Sequence, residues 1–344
     1  MTQQHRNDDG RDSYDVLVVG GGAAGLNGAL MLARSRRSVL VVDAGEPRNA
    51  PAEGVHGLLA REGMPPGELL ERGRAEVRGY GGEVLAGEVA SAARVDHGFT
   101  LTLADGRTLR ARRLLVTTGL TDELPDVPGL REHWGSDVLH CPYCHGWEVR
   151  DQPIGVLATG PMSVHQTLLF RQLSDDVMYF AHTAPALSDE DADKLAARGI
   201  PVVEGEVAAL ESQDGRLTGV RLTDGHVIAR AALAVAPRMV ARAGFLAELG
   251  LETADHPSGM GTHIPVDAAG RTEAPGVWAA GNVTDPAAQV GASAAAGALA
   301  GAQINADLVA EETAQAVAAL REPFNAAMES EVTTLVTGER RHGV

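Results

Sequence analysis

A glycine loop between a buried strand and an amphipathic helix constrains the fold of this chain more than any other feature. The apolar run over residues 15–19 predicts a short buried strand, and it leads directly into the small-residue loop 20–25. After the loop, apolar residues recur at helical spacing, at Leu26, Ala29, Leu30 and Ala33. A second strand, predicted over residues 38–42, ends at Asp43. This order of strand, loop, helix, strand and acid predicts the first unit of an α/β dinucleotide-binding fold.

The chemistry of the loop indicates its ligand. The loop is built from Gly20, Gly22, Ala23, Ala24 and Gly25. Small residues allow the backbone to approach a pyrophosphate, and the helix N-terminus that follows favours the negative charge. Asp43 is placed where a carboxylate binds a ribose hydroxyl. We therefore expect a bound dinucleotide, and a glycine-rich turn without a ligand is the weaker alternative.

A hairpin pattern occurs twice at a constant displacement and indicates an internal repeat. The turn dipeptide Asp105-Gly106 recurs as Asp224-Gly225, with similar apolar residues on both sides of each turn. Between the two copies, residues 154–158 predict the first strand of a second unit, and residues 177–180 predict its next strand. The sequence thus predicts two related α/β units.

The second unit lacks the residues with which such folds hold a dinucleotide. Its loop over residues 158–163 retains only Gly160 of the expected glycines, and Pro161 removes one backbone donor. The strand that follows is succeeded by acids at 189–191, where an NADP site requires arginines. We expect poor binding of a nicotinamide dinucleotide by this unit, although a nonstandard site stays open as an alternative.

The chain contains only two cysteines, Cys141 and Cys144, and they form a C-x-x-C motif. In such pairs one thiol commonly has a lowered pKa and is nucleophilic at neutral pH, so the pair is a candidate redox centre. With His145 the motif also fits c-type haem attachment. A zinc site formed with His140 and His145 is a further alternative, disfavoured because no second cysteine pair exists.

The charge of the chain excludes several classes of function. The formal net charge is −17, from 46 acidic and 29 basic side chains, which disfavours nucleic acids and anionic lipid surfaces as partners. The first 15 residues are polar, and no apolar run approaches the ~20 residues that cross a membrane. We expect a cytoplasmic protein whose thiols rest reduced.

Four motifs together resemble the low-molecular-weight thioredoxin reductase family over nearly the whole chain. They are the loop 20–25, Thr117-Thr118-Gly119, the C-x-x-C motif and residues 276–283. The resemblance implies an α/β protein with two Rossmann-like, three-layer dinucleotide-binding domains. It places a discontinuous FAD-binding domain at residues 1–125 and 265–344. A degenerate NAD(P)H-type domain that carries the cysteines would occupy residues 126–264.

The same resemblance implies further contacts with FAD and a homodimer. Asn282 would approach the ribityl chain, Gln289 and Val290 the pyrimidine edge, Arg48 the adenosine end, and His56 the isoalloxazine. The remaining implied FAD residues are Ala44, Val89, Thr118, Gly119 and Gly281. An amphipathic terminal helix over residues 308–328 is the candidate dimer face, with intramolecular packing as the alternative.

Departures from the reductase pattern indicate a different electron acceptor. Reductases have an acid after the second cysteine, where this chain has His145, and an aspartate where it has Asn282. Residues 141–148 resemble the motif of flavin-dependent dithiol oxidases that form natural-product disulfides of the holomycin, gliotoxin and romidepsin type. This resemblance implies that a small dithiol is oxidised and that O2 is reduced to H2O2.

Each residue of the motif has an expected role in such an oxidase. The resemblance implies that Cys144 faces the flavin and Cys141 the substrate. His145 is the first candidate for the base, because it replaces the acid of the reductases, and His140 is the second. An NADPH-dependent reductase of thioredoxin or another disulfide and a non-catalytic flavin redox sensor stay open. A ferredoxin-driven reductase is disfavoured because ferredoxins are usually acidic, as this chain is.

Overall fold

A computed structural model describes residues 13–321 and 326–337. The prediction that the chain has no targeting segment concerns mainly residues 1–12, and these lie outside the described residues. The strands are β1 (Tyr14–Val19), β2 (Val39–Asp43), β3 (Glu83–Ala86), β4 (Val89–Val95), β5 (Gly98–Leu103), β6 (Thr108–Val116), β7 (Leu120–Glu123), β8 (Val138–Leu139), β9 (Ile154–Leu157), β10 (Val177–Phe180), β11 (Val202–Val203), β12 (Val207–Gln213), β13 (Arg216–Leu222), β14 (Val227–Ala229), β15 (Ala232–Val235), β16 (Arg238–Ala241), β17 (Ala254–Asp255), β18 (Thr262–His263) and β19 (Val277–Ala279).

The helices are mostly short, apart from the one that follows the last strand. They are α1 (Ala23–Arg34), α2 (Pro66–Gly79), α3 (Pro142–His145), α4 (Ser163–Phe170), α5 (Asp189–Ala197), α6 (Val290–Arg321) and α7 (Ala326–Thr337), with 3-10 turns at Gly244–Leu249 and Gly281–Val283. None of the helices within the described ranges is long and apolar enough to cross a membrane.

The first unit is a seven-stranded sheet covered on both faces. Its strand order is β3-β2-β1-β6-β5-β4, and β19 pairs with the second half of β6. Strand β1 is buried on both sides, because Val16 and Val18 pack against the helices α1, α2 and α6, whereas Leu17 and Val19 face the β4–β5 hairpin. A strand that is apolar at successive positions requires two covering layers. This explains the predicted three-layer arrangement.

The second unit repeats this plan with a smaller sheet. Strands β11-β10-β9-β15-β8 form a parallel sheet, and β12-β13-β14 form a separate antiparallel one. The strands predicted from the repeat are confirmed as β9 and β10. In the first unit the hairpin strand continues as the central strand β6, whereas in the second the equivalent strand is divided into β14 and β15. The predicted α/β class and the two related units are confirmed.

Two chain crossings join the units side by side. Strand β7 leaves the first unit and pairs antiparallel with β16, which returns from the second. Beyond β16, Leu246 and Leu251 pack in the core of the first unit. The division at residues 125 and 265 stays a proposal, and this packing favours a second boundary closer to residue 241.

Helix α6 is held against α1 by small residues. A Cβ on Gly297 would lie 1.9 Å from the carbonyl oxygen of Ala24, so only glycine permits this approach of the two backbones. The helix predicted over 308–328 is not a separate element, since α6 runs continuously from Val290 to Arg321. Its alanine- and glycine-rich first half buries one face, but alanines also occupy the exposed face, so its sequence is only weakly amphipathic. Residues 322–325 of that prediction lie outside the described residues.

Candidate active site

A cleft of about 2070 Å³ between the two units brings together the glycine loop and the dithiol. Most of the predicted site residues line it: Gly20, Gly22, Ala23, Ala24, Asp43, Ala44, Arg48, His56, Val89, Thr118, Gly119, His140, Cys141, Cys144, His145, Asn282, Gln289 and Val290. Gly25 and Gly281 lie behind the lining, where they allow the backbone to pack closely. Residues as far apart in the sequence as Gly20 and Val290, 270 positions, therefore share one cavity.

The glycine loop fits a pyrophosphate. Helix α1 begins at Ala23, and its N-cap residue Gly22 provides no side-chain hydrogen bond to the first turn. The N–H groups of that turn therefore need a partner from the cleft, and an anion is suited to them. A Cβ on Gly22 would meet nothing within 4 Å among the described residues. The loop thus leaves space for a ligand directly over the helix N-terminus.

The other glycines of the loop hold its shape. A Cβ on Gly20, whose φ is +105°, would lie 2.4 Å from the carbonyl oxygen of Thr117, and a Cβ on Gly25 would lie 1.9 Å from that of Gly20. Near the loop, the Ser293 hydroxyl is buried without a hydrogen-bond partner among the described residues and lines the cleft. A buried polar atom facing a cavity favours a polar ligand there. Both observations fit FAD.

Asp43 is positioned by the loop and by a neighbouring helix. Its carboxylate accepts hydrogen bonds from the backbone N–H groups of Gly21 and Gly45 and from Arg74 on α2, at 3.1, 3.3 and 2.9 Å. The Asp43 carboxylate raises the pKa of Arg74. The side chain stays at the cleft wall, and its contact with a ribose hydroxyl stays a prediction. Arg74 was not recognised in the sequence because it follows Asp43 by 31 residues.

The side chain of Asn282 is hydrogen-bonded to backbone groups of its own loop. Its amide nitrogen donates to the carbonyl oxygens of Asp285, Pro286 and Ala288, at 3.1, 3.3 and 2.8 Å. These bonds hold the segment that leads into α6. An aspartate could not donate them. The departure from the reductase pattern therefore has a structural consequence, and the ribityl contact of Asn282 stays a prediction.

Arg48 lies beside the dithiol. Its guanidinium makes two hydrogen bonds of 2.7 Å to the Asp122 carboxylate, which is largely buried. Burial lowers the pKa of His140 and the hydrogen bond from Cys144 lowers that of Cys141, and the positive charge of Arg48 adds to both shifts. The predicted contact with the adenosine end of FAD stays a prediction.

The dithiol sits at the start of a single helical turn. Cys141 is the N-cap of α3, and Pro142 at the first helical position starts the turn without needing a hydrogen bond. The amide groups of Cys144 and His145 donate to the carbonyl oxygen of Cys141, at 3.2 and 3.1 Å. Both cysteines are partly buried and carry free thiols. The C-x-x-C spacing places the two sulfurs on the same side of this turn.

The two thiols have different acidities. A hydrogen bond from the Cys144 thiol, assisted by the amides of Tyr143 and Cys144, lowers the pKa of Cys141 to about 7. Donating that bond, together with burial, raises the pKa of Cys144. The reduced pair therefore loses its first proton from Cys141, which makes Cys141 the nucleophile.

Alkylation of the reduced protein should report this difference. Below pH 7 Cys141 is a thiol and unreactive, whereas above it the thiolate forms, so the rate with iodoacetamide should rise through a midpoint near 7. Cys144→Ala removes the donor and should move the midpoint upward, towards the ~8.5 of an ordinary cysteine. A wild-type midpoint already at ~8.5 would contradict the assignment.

His140 is held in one orientation. Its Nδ1 lies 3.2 Å from the carbonyl oxygen of Val235, so Nδ1 carries the proton and Nε2 is the free base. Gln166 on α4 donates to the carbonyl oxygen of His140 at 2.7 Å. Burial lowers the pKa of His140, which keeps the ring neutral. Gln166 was missed because an isolated glutamine carries no sequence signal.

His145 ends α3, and the pKa of its ring is lowered chiefly by burial. Its ring centre lies 6.3 Å from that of His56, in an edge-to-face arrangement. His56 belongs to the first unit and His145 to the C-x-x-C segment. The structure therefore brings together two histidines that the sequence separates by almost ninety residues, and both face the cleft.

The loop of the second unit that corresponds to the glycine loop is hydrogen-bonded to one of its own side chains. The buried Ser163 hydroxyl accepts hydrogen bonds from the amides of Thr159 and Gly160, at 3.0 and 3.3 Å. In the first unit the amide equivalent to that of Thr159 belongs to Gly21 and donates to Asp43, so in the second unit a serine of the loop takes the place of that acid. After β10, the His182 Nδ1 accepts from the amide of Val207 at 3.0 Å, and the acidic α5 follows. Ser163 was not singled out in the sequence.

These features define a disulfide oxidoreductase with two dinucleotide-type units. The family model for pyridine nucleotide-disulphide oxidoreductases matches residues 14–319. The chain therefore belongs to that family and is an FAD-binding oxidoreductase with a thioredoxin reductase-like fold. Both the predicted family and the predicted cofactor are confirmed.

Individual relatives agree with this assignment. The crystal structure of HlmI is 49% identical, with a TM-score of 0.84, and the match covers 92% of this chain and 98% of HlmI. An oxidoreductase from Agrobacterium tumefaciens is 36% identical, with a TM-score of 0.81 over 86% of this chain and 99% of that one. The thioredoxin reductase aclD of Aspergillus oryzae (strain ATCC 42149 / RIB 40) is 31% identical, over 78% of this chain and 88% of that protein.

Proposed function

We propose that this protein is an FAD-dependent dithiol oxidase. It converts a small-molecule dithiol to an intramolecular disulfide through the Cys141–Cys144 pair, with O2 as the terminal acceptor and H2O2 as the second product. The observation that carries this proposal is the second unit's loop, which closes on its own Ser163 and has Pro161, without an N–H group, where the first unit has Ala23 at its helix N-terminus. A chain without a working nicotinamide site needs another electron donor, and a dithiol in the same cleft supplies one.

The exchange begins with the oxidised pair. A substrate thiolate attacks the sulfur of Cys141, the Cys141–Cys144 bond breaks, and Cys144 leaves as a thiolate. The hydrogen bond to Cys141 is the largest cause of the raised pKa of Cys144, and this cause disappears once Cys141 is in the mixed disulfide. The second substrate thiolate then attacks the first substrate sulfur. Cys141 leaves, favoured by its pKa of about 7, and the enzyme pair is reduced.

Proton transfer and electron transfer complete the cycle. His145 and His140, both neutral bases at the cleft, take the protons of the incoming thiols. FAD, when bound, accepts two electrons from the reduced pair and delivers them to O2. Cys144 is the proposed electron donor, and the glycine loop, Asp43 and the residues before α6 hold the cofactor in place.

Anaerobic mixing with two reductants tests the proposal. A small dithiol such as dithiothreitol should bleach the flavin absorbance stoichiometrically, whereas NADPH should leave it unchanged. Admission of air should restore the colour and produce one H2O2 per disulfide formed. A monothiol at equal thiol concentration is the control, because it cannot close an intramolecular disulfide.

Two alternative outcomes would redirect the assignment. Rapid bleaching by NADPH would favour a reductase, the activity in the names of several relatives. A single bleaching event without turnover in air would favour a redox sensor.

We also propose a cytoplasmic homodimer. Apolar side chains on the last two helices are strongly exposed, with Leu320 at 85%, Leu335 at 77% and Val336 at 72%. Such exposure on neighbouring helices favours a protein interface. Sedimentation of the purified protein tests the proposal, and a monomer at micromolar concentration would contradict it.

A further inference from the structure

The loop over residues 55–64 presents a histidine and a carboxylate to the dithiol. Its ends are joined by hydrogen bonds between Val55 and Met64 and between Gly63 and Val55, at 2.8 and 2.9 Å. His56 and Glu62 lie just inside this closure and contact one another, with Nδ1 and Oε1 2.5 Å apart. The other oxygen of Glu62 accepts from the amide of Gly57 at 2.9 Å. Both oxygens of the carboxylate are therefore held.

The opposite side of the His56 ring faces the C-x-x-C segment. Its Nε2 lies 3.5 Å from a carboxylate oxygen of Glu148, and its ring meets His145 edge to face. Nδ1 of the ring is thus hydrogen-bonded to Glu62, whereas Nε2 has only the longer approach to Glu148. His56 is only 21% exposed, whereas Glu62 is 66% exposed and Glu148 38%. The ring therefore connects the cleft with two carboxylates in contact with water.

We propose that His56, held by Glu62, is a positioning and proton-relay residue for His145. The proposal rests on the dithiol oxidase function. Each substrate thiol that attacks must first lose its proton inside a partly closed cleft. His145 takes this proton and gives it to Nε2 of His56, Nδ1 of His56 gives its own proton to Glu62, and Glu62 releases that proton to solvent. No electrons move in this step, and His145 returns to its neutral form for the second thiol.

The charges around the relay support this direction of transfer. Burial lowers the pKa of His145, and the negative charges of Glu148 and Glu53 oppose this shift while His56 adds to it. The hydrogen bond with His56 lowers the pKa of Glu62, so this carboxylate stays ionised. A proton on either ring therefore has a solvent-exposed carboxylate near it, Glu62 or Glu148, that can carry it to water.

His56→Asn tests the relay, because asparagine retains a hydrogen-bonding side chain but cannot carry a proton. Anaerobic bleaching of the flavin by dithiothreitol at pH 7 should slow about tenfold, a fraction of what direct general-base catalysis provides. The difference from wild type should close above ~pH 9, where free thiols ionise unaided. Glu62→Gln should show a smaller change of the same kind.

Controls separate the relay from a structural effect. His226→Asn removes a similar pair, in which the His226 ring lies 3.0 Å from Asp224, on an exposed hairpin outside the cleft, and should leave the rate unchanged. His56→Ala should regain activity in proportion to added imidazole, which lost packing alone would not allow.

Three results would overturn the relay: a wild-type rate for His56→Asn at every pH, an equal loss in His226→Asn, or a slow His56→Ala that ignores imidazole. Failure of the oxidase function itself is distinct, because dithiols would then fail to bleach the wild-type flavin.

Discussion

A variant with Cys144 replaced by Ser should keep its yellow colour and lose bleaching of the flavin by dithiols roughly a thousandfold or more. One member of a catalytic unit is removed, and such residues carry most of the rate acceleration of their unit. The hydroxyl of serine cannot form the enzyme disulfide, so Cys141 has no internal oxidant. Stopped-flow absorbance under nitrogen measures the loss.

The two cysteine variants should differ in what they trap. In Cys144→Ser, Cys141 should form a lasting mixed disulfide with an added disulfide probe, visible as a mass increase. Cys141→Ser should trap far less, because burial still raises the pKa of the remaining Cys144 thiol after the hydrogen bond with Cys141 is lost. The reverse pattern of trapping would exchange the roles of the two sulfurs.

Gly25→Ala should yield a colourless protein. The added Cβ would lie 1.9 Å from the carbonyl oxygen of Gly20, and 2.6 Å from the hydroxyl of Thr117, so the loop must open. Because the loop surrounds the N-terminus of α1, this movement removes the proposed pyrophosphate site. The flavin-to-protein absorbance ratio after purification measures the loss, which we expect to be nearly complete.

The equivalent loop of the second unit supplies the matched control. A Cβ on Gly160 meets nothing within 4 Å among the described residues, and the amides of Thr159 and Gly160 in its loop are bonded to Ser163. Gly160→Ala should therefore retain full flavin content. If Gly25→Ala purified with a full complement of FAD, the assignment of the loop would be wrong.

The main elements of the fold were predictable because their signals are local. The strand, loop, helix and strand of the first unit follow one another within about thirty residues, and the second unit repeats the hairpin pattern. The end of α6 was less predictable, because alanines on both its buried and its exposed face leave only a weak amphipathic period. The packing of Leu246 and Leu251 against the first unit was not predicted either, since it depends on where the chain returns.

By itself, the sequence determined the α/β class, the FAD-type loop, the lone redox pair and the damaged second loop, because each depends on residues that are neighbours along the chain. Only the tertiary structure decided that Arg48 stands beside the cysteines, that Cys141 is the more acidic thiol, and that His56 and Glu62 face His145. These properties depend on distances, burial and charge between elements far apart in sequence. Such distances are set by packing, which a linear pattern does not encode in any single residue.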